Sequence, residues 1–251
     1  MAKIHQKHSR LKVSIFLAAV RAVLAVLAAC AVVWGWYHLY TVSPAWVSKL
    51  EIGPVEGIWT MAIVAVLAIF VLMLRLRDHC RAIAIRRAGA NGEKLALRQL
   101  KALPAGYHVF SNLRLSYEGR ESEMDLVVVG PGGVGVVEVK NYTGEVTGNA
   151  AAHDLSHLKN DRVQTFYNPI RQVSTHVFRL WGYLKEHGCQ ARVRGFVYFV
   201  NPSISVRISG TADVPWFTAN HLREMMTELT SARDELTARQ VNEIVRILKK
   251  A

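Results

Sequence analysis

Cysteine is scarce in this 251-residue chain, and Cys30, Cys80 and Cys189 stand far apart with no CxxC spacing among them. That argues against a disulfide framework and against a thiolate zinc site. Cys80, beside an apolar run, suits either acylation or a plain interfacial thiol. No Lys-Ser/Thr follows the glycine-rich stretch Gly130 to Gly135, so the mark of a P-loop is missing. No serine sits in a Gly-x-Ser-x-Gly elbow, and Cys189 has no catalytic company. Acids are few as well, 19 against 31 Lys+Arg, for a net charge of +12. The shortage is uneven. Residues 1–87 hold 11 of the bases but only Glu51, Glu56 and Asp78 as acids, whereas residues 88–251 hold 20 bases against 16 acids. Most of the positive excess therefore flanks apolar sequence, which weakens basicity as a sign of nucleic-acid binding.

Apolar residues are abundant, at 51% of the chain with a mean hydropathy of +0.16. Two runs carry the excess, about 15–39 and 58–74, and no acid lies inside either. A central arginine would cost about 3 kcal/mol in a bilayer, so the first span is drawn from Ala22 to Leu39 with Arg21 reaching back to the headgroups. Trp34, Trp36, Tyr37 and Tyr40 form an aromatic belt at its far end. A signal peptide is disfavoured, because no small-x-small site follows and a second span comes soon after. Lys3, Lys7, Arg10 and Lys12 precede the first run, and Arg75, Arg77, Arg81, Arg86 and Arg87 follow the second. The loop between them is not basic. The positive-inside rule then predicts a multi-pass anchor over 1–87 in a bacterial-type inner membrane, with both termini cytoplasmic and the basic flanks on anionic lipid. A basic helix over Arg75 to Arg87 is expected to break at Gly89 to Gly92.

Beyond that break, helix, strands, helix, strand and helices alternate, which predicts an α/β fold with helices packed on a sheet. Glu93 to Leu103 carries Leu95, Leu97, Leu100 and Leu103 at helical spacing before Pro104. Leu126 to Val129 and Val134 to Val139 are β-branched runs around Pro131-Gly132-Gly133, the pattern of a hairpin. Asn168-Pro169 opens a helix whose face carries Val173, His176, Val177, Leu180 and Leu184, and Val193 to Val200 reads as a strand buried on both faces. A soluble domain over 88–230 and a C-terminal amphipathic helix within 231–251 complete the plan.

Polar residues interrupt the hairpin where an apolar core does not want them. Asp125 opens the first strand, and Glu138 and Lys140 lie two apart on the second, hence on one face. Two carboxylates can hold a hard cation such as Mg²⁺, which also takes phosphate oxygens. A bound cation neutralises charge growing on a phosphoryl group, and a nearby lysine can orient water or stabilise phosphorus oxygens. The plainer alternative is an ion pair on a solvated strand. His153 and His157, four apart, would face one way on a helix, but no third zinc ligand accompanies them.

The ordered pieces Gly92-Glu93, Glu123-Met124-Asp125, Gly130-Pro131-Gly132-Gly133, Val137-Glu138-Val139-Lys140-Asn141, Gly144 and Asn168-Pro169 with Gln172 resemble the NERD (nuclease-related) domain. That family is assigned to the PD-(D/E)xK restriction-endonuclease-like group. The resemblance implies a central mixed sheet flanked by helices, preceded here by two transmembrane helices. It implies Asp125 and Glu138 as metal ligands, Lys140 as the catalytic lysine, Glu93 as a further acid bringing a second metal or a bridging water, and Gln172 as an outer member orienting water or phosphate. The implied cofactor is Mg²⁺ or Mn²⁺, and the implied partner is nucleic acid, with DNA favoured over RNA. Glu123 could join the acids or face solvent. A non-catalytic, membrane-tethered module binding nucleic acid or protein is the alternative function.

Overall fold

The computed structural model describes residues 1–6, isolated helical positions between 17 and 38, residues 54–231 and residues 236–251. The chain forms two compact units, Ser9–Arg87, and Met1–His8 together with Ala88–Ala251. Nearly half of the first apolar run lies outside the described residues, and its described positions are helical. The second is helical, inside a helix α1 that extends over Pro54–Leu100. Among the described residues no helix is long and apolar enough to cross a membrane.

The break expected at Gly89 to Gly92 is absent. α1 runs through both glycines, whose helical cost of about 1 kcal/mol each is outweighed by the contacts of the turns that follow. Ala96, Leu97 and Leu100 are buried against the sheet, and Gln99 Oε1 accepts a hydrogen bond from Tyr198 Oη at 3.0 Å. Gly92 is needed for close approach. A Cβ there would stand 2.5 Å from Asn141 Cβ and 3.3 Å from Val200 Cγ1. Gly92→Ala is expected to cost about 1–3 kcal/mol through overpacking, read as a lower denaturation midpoint. Gly89→Ala meets nothing within 4 Å and should leave the midpoint level or slightly higher.

Among the described residues the main sheet has six strands. β2 (His108–Tyr117), β3 (Arg120–Gly130) and β4 (Gly133–Lys140) form an antiparallel meander, and β8 (Val193–Phe199) and the short β10 (Trp216–Thr218) continue it in parallel. The expected hairpin is β3–β4, closed where Gly130 pairs with Gly133 around Pro131-Gly132, and Gly133 takes a φ of 109° that a side chain would resist. An unforeseen strand, β1 (Lys3–Gln6), lies parallel to β2 at the edge. Its His5 Nε2 hydrogen-bonds His108 Nδ1 at 3.2 Å, with the two rings only 5° apart in plane.

Helix α2 (Pro169–Glu186) and helix α4 (Ala238–Leu248) cover one face of the sheet through Val127, Val129, Val134, Val136, Leu180 and Ile244. The last turns of α1 and helix α3 (Leu222–Thr230) cover the other, over Val109, Leu126, Val128, Val137 and Tyr198. Among the described residues there is also a second sheet of four strands. Its order is β7-β6-β5-β9, from β5 (Gly144–Asn149), β6 (Asp154–Lys159), β7 (Arg162–Tyr167) and β9 (Ile204–Ser209). Fully buried Asn168 ties this sheet to α2. Its Oδ1 accepts from Ile170 N at 3.0 Å, while its Nδ2 donates to the carbonyls of Ala150 and Ala152. It is thus the N-cap of α2 and the clamp that fixes where that helix starts.

Candidate functional site

Regular alternation fails at one point of the β2–β3 pair. Phe110, Leu113 and Leu115 share one core cluster, as do Met124, Val127 and Val129, so each strand shifts face by one residue. The shift on β2 falls at Asn112, whose φ is +52°, and on β3 it falls at Asp125. At the same place the β3–β4 ladder ends, with Leu126 opposite Val137 as its last pair, while β4 stays paired to β8 as far as Lys140 opposite Phe199. The strands separate there. The next donor on β4, Val139 N, is taken by Asp125 Oδ2 at 2.8 Å instead of by a carbonyl. A carboxylate accepting a backbone N–H in this position is fixed without any side-chain partner.

Beyond the fork, β4 turns Glu138 and Lys140 toward α2. Lys140 Nζ donates to Glu138 Oε1 at 2.7 Å and to Gln172 Oε1 at 3.1 Å. Both ends of the pair are well sheltered, with side-chain exposures of 17% for Lys140 and 3% for Glu138. Burial works to lower the Lys140 pKa, but Glu138, Asp125 and the hydrogen bond to Glu138 outweigh it, and the ammonium is held above its ordinary value. Burial pushes the Glu138 carboxyl up, against the pull of Lys140 and with a further push from Glu93.

Two more acids lack such a partner. Burial, with Glu138 next in weight, raises Asp125 from 3.8 to about 7, opposed by the Val139 N–H and Lys140. Burial, then Asp125 and Glu123, raises Glu93 on α1 from 4.5 to about 7. Glu93, Asp125 and Glu138 therefore all feel the charge of one buried ammonium. Asn141 holds Glu93's helix in place, donating from Nδ2 to Ala88 O at 2.7 Å and accepting at Oδ1 from Asn201 Nδ2 at 3.1 Å.

This donor set fits a hard divalent cation, because buried carboxylates that repel one another gain most from added positive charge. Among the described residues no three His, Cys, Asp or Glu side chains stand close enough to ligate one ion. Two carboxylates completed by water and substrate oxygens is a common arrangement for Mg²⁺.

Sequence inspection placed His176 only on the apolar face of α2, yet it belongs to this cluster. One helical turn after Gln172, its side chain is 9% exposed, and Nδ1 lies 2.8 Å from Ser122 Oγ. Nε2 is buried without a hydrogen-bond partner, 3.6 Å from Glu138 Oε2. Burial, then Arg179 and Lys140, lowers its pKa to about 4, so the ring is neutral and this contact is not an ion pair. An unpaired buried polar atom costs about 1–3 kcal/mol. Ser122 reaches α2 because of the face shift at Asp125. The i, i+4 spacing of Gln172 and His176 was the available signal, hidden by an otherwise apolar stripe.

Other candidates fall away from the site. Glu123 faces solvent and pairs with Arg114 at 2.8 Å, as one of its two expectations had it. Among the described residues His153 and His157 belong to no group of side chains able to hold a metal ion. Those residues lie at a strand and its approach, not on a helix, so the i, i+4 geometry is lost. His157 Nε2 meets Thr143 O at 2.7 Å, and His153 pairs with Asp154.

Residues 88–200 match the model of the Nuclease-related domain (NERD). The chain is 35% identical over 91 residues to an uncharacterized protein of Bacillus anthracis, covering 36% of this chain and 43% of that one. It is 30% identical over 159 residues to a probable kinase, PglW, of Streptomyces coelicolor, covering 61% of this chain and 10% of the relative. The chain thus spans less than half the length of either curated relative. Among solved structures, a protein of unknown function, AF1548, is similar at a TM-score of 0.31 and 12% identity, over 65% of this chain and 97% of that one.

Proposed function

We propose that the nuclease-related domain is a divalent-metal-dependent phosphodiesterase acting on nucleic acid, DNA in preference to RNA, at the cytoplasmic face of a bacterial inner membrane. The observation that carries this reading is Lys140, held between Glu138 Oε1 and Gln172 Oε1 beside Asp125. Asp125 and Glu138 would hold the cation, and Glu93 would steady a second ion or a water between them. A bound Mg²⁺ or Mn²⁺ would supply positive charge to the oxygens of a phosphodiester. The protein does the rest. Lys140, kept charged and fixed in direction by two acceptors, orients an attacking water or a non-bridging oxygen, and Gln172 limits its swing. Preorganised donors of this kind lower a barrier because they need no rearrangement as charge develops.

Membrane attachment is part of the proposal. It is supported by the apolar side chains exposed along α1, among them Trp59, Ile63, Val66, Phe70 and Val71, just ahead of the arginines from Arg75 to Arg87. A reporter fused after Ala251 should be active in the cytoplasm, and activity confined to the periplasm would refute this orientation.

The test of function is incubation of the full chain with plasmid, linear duplex, single-stranded DNA and RNA, with Mg²⁺ or Mn²⁺ and with chelator. Cation-dependent cleavage is expected, and salt-sensitive binding with no cleavage would replace the enzyme by a tethered binding module. The raised carboxyls add a pH signature. Groups whose values rise from about 4 to about 7 on folding stabilise the fold at low pH, and that contribution is lost as pH climbs between those values. The metal-free midpoint should therefore fall from pH 5 to pH 8, while Mg²⁺ should raise it more at pH 8, where it no longer competes with protons. An equal Mg²⁺ effect at both values would contradict the assignment.

A further inference from the structure

The orphaned nitrogen of His176 points to a role beyond packing. We propose that His176 is a positioning residue whose Nε2–H fixes the rotation of the Glu138 carboxylate, with Ser122 setting the tautomer. The inference rests on Glu138 being a cation ligand, as proposed above.

Three observations converge on it. Ser122 Oγ lies 2.8 Å from Nδ1. A Ser122 hydroxyl donating to Nδ1 leaves the ring's proton on Nε2. That Nε2 is fully buried and unpartnered, with Glu138 Oε2 3.6 Å away. The gap exceeds hydrogen-bond range by a few tenths of an ångström, which a small turn of the carboxylate closes. Finally, the other oxygen, Oε1, is already held by Lys140, which Gln172 holds in turn. Gln172 and His176, one turn apart on α2, thus address the two ends of a single unit, the lysine and the glutamate. Without His176, the carboxylate is tied at Oε1 alone and can tilt about that one tie. With it, both oxygens are specified. Groups standing behind a metal-bound carboxylate or imidazole in this way commonly change metal affinity by 10–100-fold when removed.

The spacing of atoms in side-chain amides allows the roles to be separated. In His176→Asn the amide occupies the place of Nδ1 and can still accept from Ser122, but nothing reaches Glu138. In His176→Gln an N–H can reach the position of Nε2. Mn²⁺ binding to the full chain, followed by electron paramagnetic resonance, is expected to weaken about 10-fold or more in His176→Asn. It should stay within about threefold of wild type in His176→Gln, with both variants keeping the wild-type far-ultraviolet dichroism. Equal affinity in wild type and His176→Asn would overturn the inference while leaving the metal site standing. Equal weakening in both variants would overturn it too, since packing rather than the Nε2–H would then be at work. Wild-type protein that binds no Mn²⁺ would instead sink the functional reading on which it rests. Independently of metal, the ¹⁵N shifts of the His176 ring should show Nε2 protonated and Nδ1 bare, and the opposite tautomer would refute the role given to Ser122.

Discussion

Asp125→Asn is expected to make the protein more stable and catalytically dead at once. A carboxyl moved from 3.8 to about 7 by burial and by Glu138 carries about 4 kcal/mol against its ionised form above neutrality, of which relaxation leaves about 2. An asparagine carbonyl can still accept from Val139 N, so the one bond that fixes this side chain is retained. At pH 8 without metal, the midpoint of Asp125→Asn should lie several degrees above wild type. At pH 5 the gain should shrink to about a third, and below pH 4 it should vanish, because the wild-type carboxyl is then protonated folded and unfolded alike. Added Mg²⁺ should stabilise wild type but not the variant, and cleavage should fall at least about 100-fold, the scale of removing one electrostatic element from an active site. Gain in stability with loss of function is the mark of a site that holds strain for its chemistry. A variant less stable than wild type at pH 8 would mean that Asp125 is a structural acceptor and nothing more.

Lys140→Ala should be costly in both respects. Glu138, only 3% exposed beside Lys140, would lose its 2.7 Å partner, and breaking one side of a buried pair costs about 3–5 kcal/mol. The carboxyl can relieve part of this by taking up a proton, since its pKa is already raised by burial. The loss should therefore be larger at pH 8 than at pH 5. Activity should drop by about two orders of magnitude or more. Lys140→Gln separates the effects. Its amide can donate to Glu138 Oε1, which should restore much of the midpoint, yet it brings no charge and should leave activity where alanine put it. Recovery of activity in the glutamine variant would show that Lys140 acts by supporting Glu138 alone.

The elements that set this geometry were legible to different degrees. The β3–β4 hairpin announced itself through valine runs on either side of Pro131-Gly132, and α2 through Asn168-Pro169 and the spacing of Val173, Val177, Leu180 and Leu184. Glu138 and Lys140 followed from period two once the strand was known. The fork at Asp125 did not. It depends on a left-handed backbone at Asn112 and on the ladder ending at Leu126, and neither leaves a trace in hydrophobic pattern. β1 was invisible for another reason: four residues, Lys-Ile-His-Gln, have no pattern of their own and are held by pairing with β2 across more than a hundred residues of chain. Gly89 and Gly92 misled because glycine marks both helix breaks and close approaches, and Gly92 is the second kind. His176 escaped notice because a buried histidine on an apolar helix face usually belongs to the core.

Calorimetric titration of Mg²⁺ into the full chain at pH 8, with Asp125→Asn and Glu138→Gln alongside, bears most directly on the two carboxylates as a cation site. Wild type should bind with release of protons, and each substitution should weaken binding by at least about 10-fold. Binding of equal strength in all three proteins, or cleavage that persists in wild type with chelator present, would contradict it.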